Sequence, residues 1–314
     1  MKQILFYSLI WAQTTLFGYA PEVIKLISVE KDTNQYTFVK TPDFYTEKWD
    51  TLAQPIFWRS VMKMTPDSCI INVASTRRIL HKESVAKWNL MNDTQKEMAR
   101  VELRKAYGLD STERIYMTTG KRDFFQFTKV YPSISEAVKI FSKNETDPWY
   151  AQAILMIESP GKIAYSNVGA YGPFQLMKSV ARSHGIKVDK YVDERKDFGK
   201  SAYASAHLLR TSCVPEAKRI LSKFNIHVSK SMEYSLWFRL LVLHNYHAGA
   251  GNVNQVLTNV VKPNLGSKQL ITKLWQSEYG RFKNSSQNYS QLALASLLIL
   301  NEFITDECVE IIAK

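Results

Sequence analysis

The sequence predicts a mainly α-helical protein, and three observations support this prediction. Capping signals and helix-forming residues dominate from residue 84 onward, one helical segment follows another, and no convincing alternating strand appears beyond residue 144. The chain has 314 residues, 45% of them hydrophobic and 22% charged, with only 12 Gly and 10 Pro. This composition is typical of globular domains and excludes collagen-like and wholly disordered chains.

The first twenty residues have the pattern of an export signal. Lys2 precedes a short apolar run over residues 4–12, and small residues follow at Gly18 and Ala20. The run is too short to span a bilayer comfortably. Pro21 directly after the best small-residue site hinders cleavage there, so either the cut falls elsewhere or the segment persists as an anchor. We therefore predict a signal peptide or N-terminal anchor at residues 1–20. The expected location is the periplasm or cell envelope, with the chain either released or held at the membrane.

Residues 21–145 form a predicted N-terminal region of unknown role, smaller than the rest and helical or mixed. Residues 21–66 show little helical periodicity and are predicted to be loop-rich. A helix is predicted from an N-cap at Asp93 to a C-terminal cap at Gly108. Ser133 and Glu136 have the spacing of a capping box and predict a second helix start.

A domain boundary is predicted between residues 145 and 146, after a polar run. Asp147 then has the position of an N-cap, with Pro148 at the first helical position. Later helices are predicted at roughly 198–212, 215–224, 232–247, 251–260, 268–277 and 287–304. Residues 146–314 are thus expected to form an all-helical domain.

Glu158 is the candidate for acid chemistry, because it is the single charge on an otherwise apolar helix. Pro160 and Gly161 follow and end that helix. A carboxyl group held against apolar neighbours has a raised pKa, as a general acid working near neutral pH requires. The alternative is a glutamate at a helix end that extends into solvent.

The segments after Glu158 resemble one family in their order and spacing. They are GAYGPFQLM (169–177), VDERKDFGKSAYASAHLL (192–209) and LHNYHAGAGNV (243–253). In this order they resemble the lytic transglycosylases of the goose-type lysozyme superfamily, most nearly the membrane-bound lytic murein transglycosylase D type. The resemblance covers about residues 148–304 and implies a lysozyme-like helical catalytic domain.

The resemblance implies site residues at matching positions. Glu158 matches the catalytic acid/base, and His247 stands where the family has Asn. The residues implied in substrate binding are Ser159, Gly172, Phe174, Gln175, Tyr246, His247 and Tyr289. Each also has a structural interpretation: a glycine can serve a tight turn, a glutamine can cap backbone, and a tyrosine on an apolar helix can belong to the core.

The implied reaction is cleavage of the MurNAc-β-1,4-GlcNAc linkage in peptidoglycan, leaving 1,6-anhydroMurNAc ends. A single glutamate suffices, because the C6 hydroxyl of the sugar replaces water as the attacking group, and no cofactor is required. Two alternatives stay open. One is a lysozyme-like hydrolase that takes a second carboxylate from the cluster between Asp193 and Asp197, although Asp197 also fits an N-cap and Arg195 can pair with its neighbours. The other is a catalytically impaired wall-binding or assembly protein.

Charge and metal-ligand spacing limit the partners. The formal net charge of +12 favours an anionic partner such as a cell-wall polymer or a membrane surface. Nucleic acid is not expected, because the basic residues form no dense stripe interleaved with aromatic residues. His244 and His247 are three apart, but no acidic or cysteine partner completes a metal site, so no metal is predicted.

Three cysteines allow at most one disulfide. Cys69, Cys213 and Cys308 permit three pairings. The alternative is that all three are small buried hydrophobic residues.

Overall fold

The protein is built mainly of helices, which confirms the predicted fold class. The computed structural model describes residues 24–31, 34–159, 165–166 and 168–312, with backbone alone for residue 31 and residues 307–312. The predicted signal or anchor at residues 1–20 lies outside the described residues. Within the described part of the chain, none of the helices combines the length and apolar character needed to cross a membrane.

The first part of the chain combines two small antiparallel sheets with short helices. Its elements are β1 (Lys25–Lys31), β2 (Asn34–Lys40), α1 (Asp43–Thr46), α2 (Ala53–Lys63), β3 (Ser68–Val73), β4 (Ile79–Ser84), α3 (Val85–Asn89), α4 (Asp93–Ala106) and β5 (Ile115–Thr119). β1 and β2 form a hairpin in which Val29 pairs with Tyr36. β3 is the central strand of the second sheet, whose order is β4-β3-β5.

The second part of the chain is helical. Its elements are α5 (Tyr131–Lys143), α6 (Trp149–Glu158), α7 (Lys178–Ser183), α8 (Phe198–Leu208), α9 (Val214–Ser222), α10 (Leu236–Ala248), α11 (Ala250–Val256), α12 (Lys268–Trp275) and α13 (Asn284–Ile312). Short π-helical stretches at Leu209–Cys213 and Leu257–Val261 continue α8 and α11. After β5, the described residues contain isolated β-bridges but no strand.

The hairpin and α2 correct the prediction of a loop-rich segment over residues 21–66. In β2 the consecutive residues Phe38 and Val39 are both buried, so the strand lacks the alternation that marks a half-exposed strand. Helix α5 packs against β2 and α13 packs against β1. The hairpin is therefore formed by pairing and by distant helices, neither of which leaves a local pattern.

The predicted start of α4 was wrong by one residue. The N-cap is Asn92, which exchanges capping-box hydrogen bonds with Gln95, and Asp93 is the first helical residue. The predicted end is confirmed, because Gly108 has φ of 61° as a C-terminal cap requires.

The predicted capping box at the start of α5 was also wrong. The helix begins at Tyr131, with Pro132 in its first turn, so Ser133 and Glu136 lie inside it. Proline fixes a helical φ and lacks the N–H that a first turn leaves unpaired, which places the start earlier than the serine.

Helix α6 is the central helix of the molecule. Every residue from Trp149 to Met156 is buried. The N-cap is Pro148, so the predicted N-cap at Asp147 was wrong by one residue, although the Asp147 carboxylate still accepts the N–H of Trp149 at 3.0 Å. A helix that is apolar on all sides must be covered on all sides. Helices α5, α13 and strand β2 pack around it. The C-terminal residue of α6, Glu158, therefore emerges directly from the core.

One core joins the two parts of the chain. The main cluster of buried hydrophobic residues extends from Val29 to Ile304, and a smaller separate cluster contains Cys69, Ile71, Trp88 and Ile115. Across the predicted boundary, the Gln152 side chain accepts the N–H of Val39 at 2.9 Å and donates to the Val39 carbonyl at 3.0 Å. The predicted division between residues 145 and 146 therefore does not coincide with a break in packing.

The two cysteines whose side chains are described are not paired with each other. Cys69 and Cys213 are both buried and free. They behave as small hydrophobic residues, and burial raises the pKa of the Cys213 thiol to about 12. The side chain of Cys308 lies outside the description.

We expect Gln152→Ala to lower the free energy of unfolding by about 1–3 kcal/mol, because the Val39 N–H and C=O lose their buried partners. Denaturant unfolding measures this change. The control is Gln269→Ala on the exposed face of α12, which should change stability by less than about 0.5 kcal/mol. Equal losses in the two variants would contradict the role given to Gln152.

Candidate active site

Glu158 lies at a cleft beside the glycine-rich turn. It is the last residue of α6, and its side chain is partly buried. Burial raises its pKa from the ordinary value of 4.5 to about 7. The carboxyl is therefore protonated in a substantial fraction of molecules at neutral pH. The predicted chemical character of Glu158 thus has a physical cause in the packing around α6.

Tyr289 approaches the same carboxyl from α13. It is 5% exposed, and its hydroxyl interacts with Glu158, which partly opposes the rise in the pKa of that carboxyl. The contact does not have the geometry of a full hydrogen bond, and the hydroxyl has no partner elsewhere among the described residues. Such contacts in ligand-free sites commonly tighten when substrate binds. The structure thus brings these two predicted site residues together.

The cleft beside Glu158 has a volume of about 370 Å³. Its wall is mainly apolar, and a few polar groups interrupt it. The apolar contributors include Val168, Leu176, Met177, Val180 and Leu208, and the polar ones include Ser166, Gln175, Ser212, Asn245 and His247. An apolar cleft with a few convergent polar groups is typical of a binding site for an organic ligand.

The glycine-rich turn needs glycine at two positions. Gly169 and Gly172 each have φ of 87°, which is strained for other residues. A Cβ on Gly172 would also overlap the carbonyl oxygen of Arg195, whereas Gly169 faces open space. Gln175 follows at φ of 47°, donates to the Gly172 carbonyl at 3.0 Å, and lines the cleft. The turn is thus fixed by close backbone contact.

A buried ion pair holds this turn from behind. Arg195 is 4% exposed and forms a bidentate ion pair with Asp193, with Nε 2.9 Å from Oδ1 and Nη2 2.7 Å from Oδ2. The same guanidinium donates to the carbonyls of Gly169 and Leu176, both at 2.9 Å. The hydrogen bonds from Arg195 hold the pKa of Asp193 below its usual range. Asp193 is therefore engaged in supporting the cleft wall.

Asp197 has the structural role that its position indicates. Its carboxylate accepts the N–H of Lys200 at 2.9 Å and caps α8. Glu194 is paired with Lys200. The acids from Asp193 to Asp197 are thus all engaged in local structure.

Two of the predicted substrate-binding residues serve the core. Phe174 is fully buried and stacks on Phe141 with ring centroids 5.6 Å apart, so the structure corrects its assignment to the cleft. Gly172 is buried as well, and its role is to permit the tight turn.

The hydroxyl of Tyr246 donates to the Phe174 carbonyl at 2.6 Å and accepts from Ser205 at 3.2 Å. Tyr246 lines the cleft, but its polar end secures the turn.

His247 is an exposed residue of the cleft wall. Its ring stacks on Tyr289, with centroids 4.3 Å apart and planes 19° apart. Desolvation by the surrounding protein lowers the pKa of His247, so the imidazole is neutral at pH 7 and can both donate and accept a hydrogen bond.

Ser159 follows Glu158 as the C-cap of α6 and is partly buried.

Glu216 was not identified from the sequence and lies in the cleft wall. It belongs to α9, and both of its oxygens accept from Arg219 Nε at 3.0 Å. This pairing lowers the pKa of Glu216. Its first-turn position in an amphipathic helix gave no sign that it faces a cleft. Ser166 was missed for the same reason: only the folded turn brings it to the wall.

His244 is a core residue. It is fully buried, its Nε2 lies 2.8 Å from the Ser290 hydroxyl, and Trp275 donates to that hydroxyl at 2.7 Å. Burial lowers the pKa of His244 to about 3. Among the described residues, no three metal-ligating side chains come together.

Comparison with known families agrees with this geometry. Residues 137–265 match the family model of the transglycosylase SLT domain. The matched segment contains Glu158, the glycine-rich turn and the cleft walls from α7 to α11. This part of the chain is therefore similar to the transglycosylase SLT domain, and the match covers less than half of the chain. No curated protein matches the chain.

We expect Glu158→Gln to stabilise the protein at high pH. The pKa of Glu158 is about 7 in the folded protein and near 4.5 when unfolded, so its ionisation destabilises the folded state progressively as pH rises from about 4.5 through 7. The variant should therefore be more stable than the wild type by about 1–2 kcal/mol at pH 8, and equally stable at pH 4. Denaturant unfolding at both pH values measures the difference.

The control for this test is Glu216→Gln. Its pKa shift has the opposite sign, so this variant should gain no stability at pH 8. A gain for Glu158→Gln that is the same at pH 4 and pH 8 would contradict a raised pKa.

We expect Gly172→Ala to destabilise the protein more than Gly169→Ala. Both pay about 1–2 kcal/mol for a left-handed backbone, but only Gly172→Ala also forces the turn away from Arg195. Thermal unfolding of the two variants isolates the overlap, because their φ values are the same. Equal shifts in Tm would show that the turn moves away from Arg195 at little cost in free energy, which would contradict the prediction.

Proposed function

We propose that the protein is a peptidoglycan lytic transglycosylase that uses Glu158 as its single acid/base. The observation that carries this proposal is a carboxyl with a pKa of about 7 at the wall of an apolar cleft, inside the segment that matches the SLT domain. A group with this pKa donates and accepts a proton with similar ease at neutral pH, as a two-step mechanism requires. The more specific resemblance to the membrane-bound lytic murein transglycosylase D type rests on the order of the sequence motifs alone.

The proposed substrate is the MurNAc-β-1,4-GlcNAc linkage. Glu158 donates its proton to the bridging oxygen as the C1–O4 bond breaks, and an oxocarbenium-like centre develops at C1. The C6 hydroxyl of the same sugar then attacks C1 and gives its proton to the Glu158 carboxylate. The C1–O6 bond closes a 1,6-anhydro ring, and the acid is regenerated without water or a cofactor.

The cleft offers groups that suit a glycan strand. Gln175 and His247 present hydrogen-bonding groups on its wall, and the apolar residues around them can cover sugar faces. We assign Gln175 and His247 to substrate binding from their place on the cleft wall, and Ser159 from the family resemblance alone. Tyr289 orients the Glu158 carboxyl, and Tyr246 keeps the glycine-rich turn in place.

A hydrolase with two carboxylates is the second candidate. Among the described residues, Glu216 is the other carboxylate of the cleft wall, and the Arg219 contact keeps it ionised as a general base would be. The Asp193 carboxylate is less suited, because it is held by buried Arg195. The transglycosylase is favoured because both oxygens of Glu216 already accept from Arg219, which leaves this carboxylate less free to activate a water molecule.

The third candidate is a wall-binding or assembly protein without activity. In that case two departures from the family pattern, His247 in place of Asn and a shorter segment between Ser159 and Gly169, have removed turnover while strand binding persists. Under all three candidates we propose export to the periplasm or cell envelope through residues 1–20. The net charge of +12 supports attraction to an anionic wall or membrane surface.

Mass spectrometry of products released from purified sacculi tests the proposal. The wild type should release muropeptides with 1,6-anhydro ends, each lighter by one water than a reducing-end product. Glu158→Gln should lose about two to four orders of magnitude in rate, because it can neither donate nor accept the proton. Glu216→Gln, which changes another carboxylate of the same cleft, should keep the anhydro products.

The other outcomes separate the candidates. Reducing-end products that disappear in Glu216→Gln would establish the hydrolase. Sedimentation of wild type and Glu158→Gln with sacculi, with no soluble product from either, would establish the binding protein.

A further inference from the structure

A buried arginine of the N-terminal region contacts the helix that carries Tyr289. Arg77 lies in the turn between β3 and β4 and is 5% exposed. Its Nη2 donates to Asn284 Oδ1 and to Asn288 Oδ1, both at 2.8 Å. These asparagines lie one helical turn apart at the start of α13, and Tyr289 directly follows the second.

The guanidinium is held rigidly where it meets α13. Its central carbon lies 5.6 Å from the Phe57 ring centroid, 5.7 Å from Trp58 and 5.9 Å from Tyr116. Electrostatics do not favour this position, because a cation at a helix N-terminus faces the positive end of the helix dipole. The two asparagine oxygens and the aromatic faces offset that repulsion. The position of the Arg77 guanidinium against α13 is therefore set by the two asparagine oxygens and the aromatic rings.

A second contact from the same region lies beyond Tyr289. Trp58 of α2 donates from its indole to Gln291 Oε1 at 3.0 Å, and Gln291 is 1% exposed. Contacts at residues 288 and 291 of α13 thus bracket Tyr289. Rotation or sliding of α13 at this point would break both of them.

We infer that Arg77 is a positioning residue, which fixes the first turns of α13 so that the Tyr289 hydroxyl faces the Glu158 carboxyl. The N-terminal region then adjusts the proton affinity of Glu158, although none of its described residues lines the cleft. The effect of Arg77 on turnover rests on the proposed function. The effect of Arg77 on the pKa of the Glu158 carboxyl is independent of the proposed function.

The chain offers a matched control in Arg59. This arginine also joins α2 to α13, through Glu302. Glu302 lies thirteen residues beyond Tyr289, about 20 Å along the helix axis. Arg59 therefore supports the same helix without constraining Tyr289.

The test is a ¹³C NMR titration of the Glu158 carboxyl carbon in the full chain. Tyr289 lowers the pKa of Glu158, so Tyr289→Phe should raise it, by about half a unit to one unit. Arg77→Met should raise it in the same direction, and Arg59→Met should leave it unchanged. The double variant Arg77→Met/Tyr289→Phe should match Tyr289→Phe alone, because Arg77 acts through Tyr289.

Several results would overturn the inference. They are an unchanged pKa in Arg77→Met, an equal shift in Arg59→Met, or shifts that add in the double variant. If Arg77→Met does not fold, Asn284→Ala removes one of the two contacts at an exposed position and should still raise the pKa. An unchanged pKa there would equally overturn it.

Activity adds a separate readout. If the proposed function holds, Arg77→Met should lower kcat/KM about tenfold and move the alkaline limb of its pH profile upward, because Glu158 stays protonated to higher pH. Arg59→Met should move neither. A protein without turnover that still shows the carboxyl shift would refute the proposed function and leave the positioning role standing.

Discussion

Burial of helix α6 on all sides is the constraint on which the rest of the structure depends. The helix is buried around its whole circumference and mainly apolar, so strands and helices from both parts of the chain must cover it. The same packing leaves Glu158 at the point where the helix leaves the core. Desolvation there raises the pKa of Glu158, so the forces that stabilise the fold also prepare the acid.

The cleft depends on charges that do no chemistry themselves. The buried pair of Arg195 and Asp193 holds the carbonyls of the glycine-rich turn, and Tyr246 donates to the Phe174 carbonyl of the same turn. A buried arginine with an ion-pair partner and carbonyl acceptors has most of its donors satisfied, which makes it a rigid support. Acids that resemble catalytic candidates in the sequence are thereby used to shape the wall beside Glu158.

The N-terminal region is part of the same body as the cleft. Gln152 on α6 is paired with the backbone of β2, and Arg77 and Trp58 hold α13 on either side of Tyr289. Both elements that meet at Glu158 are thus fixed from this region. The shared core therefore extends beyond residues 137–265, the segment that matches the family model.

The sequence by itself determined the helical class, the caps at Gly108 and Asp197, and the isolated acid at Glu158, because these follow from periodicity and neighbours within a few residues. It did not reveal the β1–β2 hairpin, the burial of Phe174 or the place of Glu216 in the cleft. Those were decided by the tertiary structure. A side chain faces core, cleft or solvent according to which distant element covers it, and local spacing carries no record of that element.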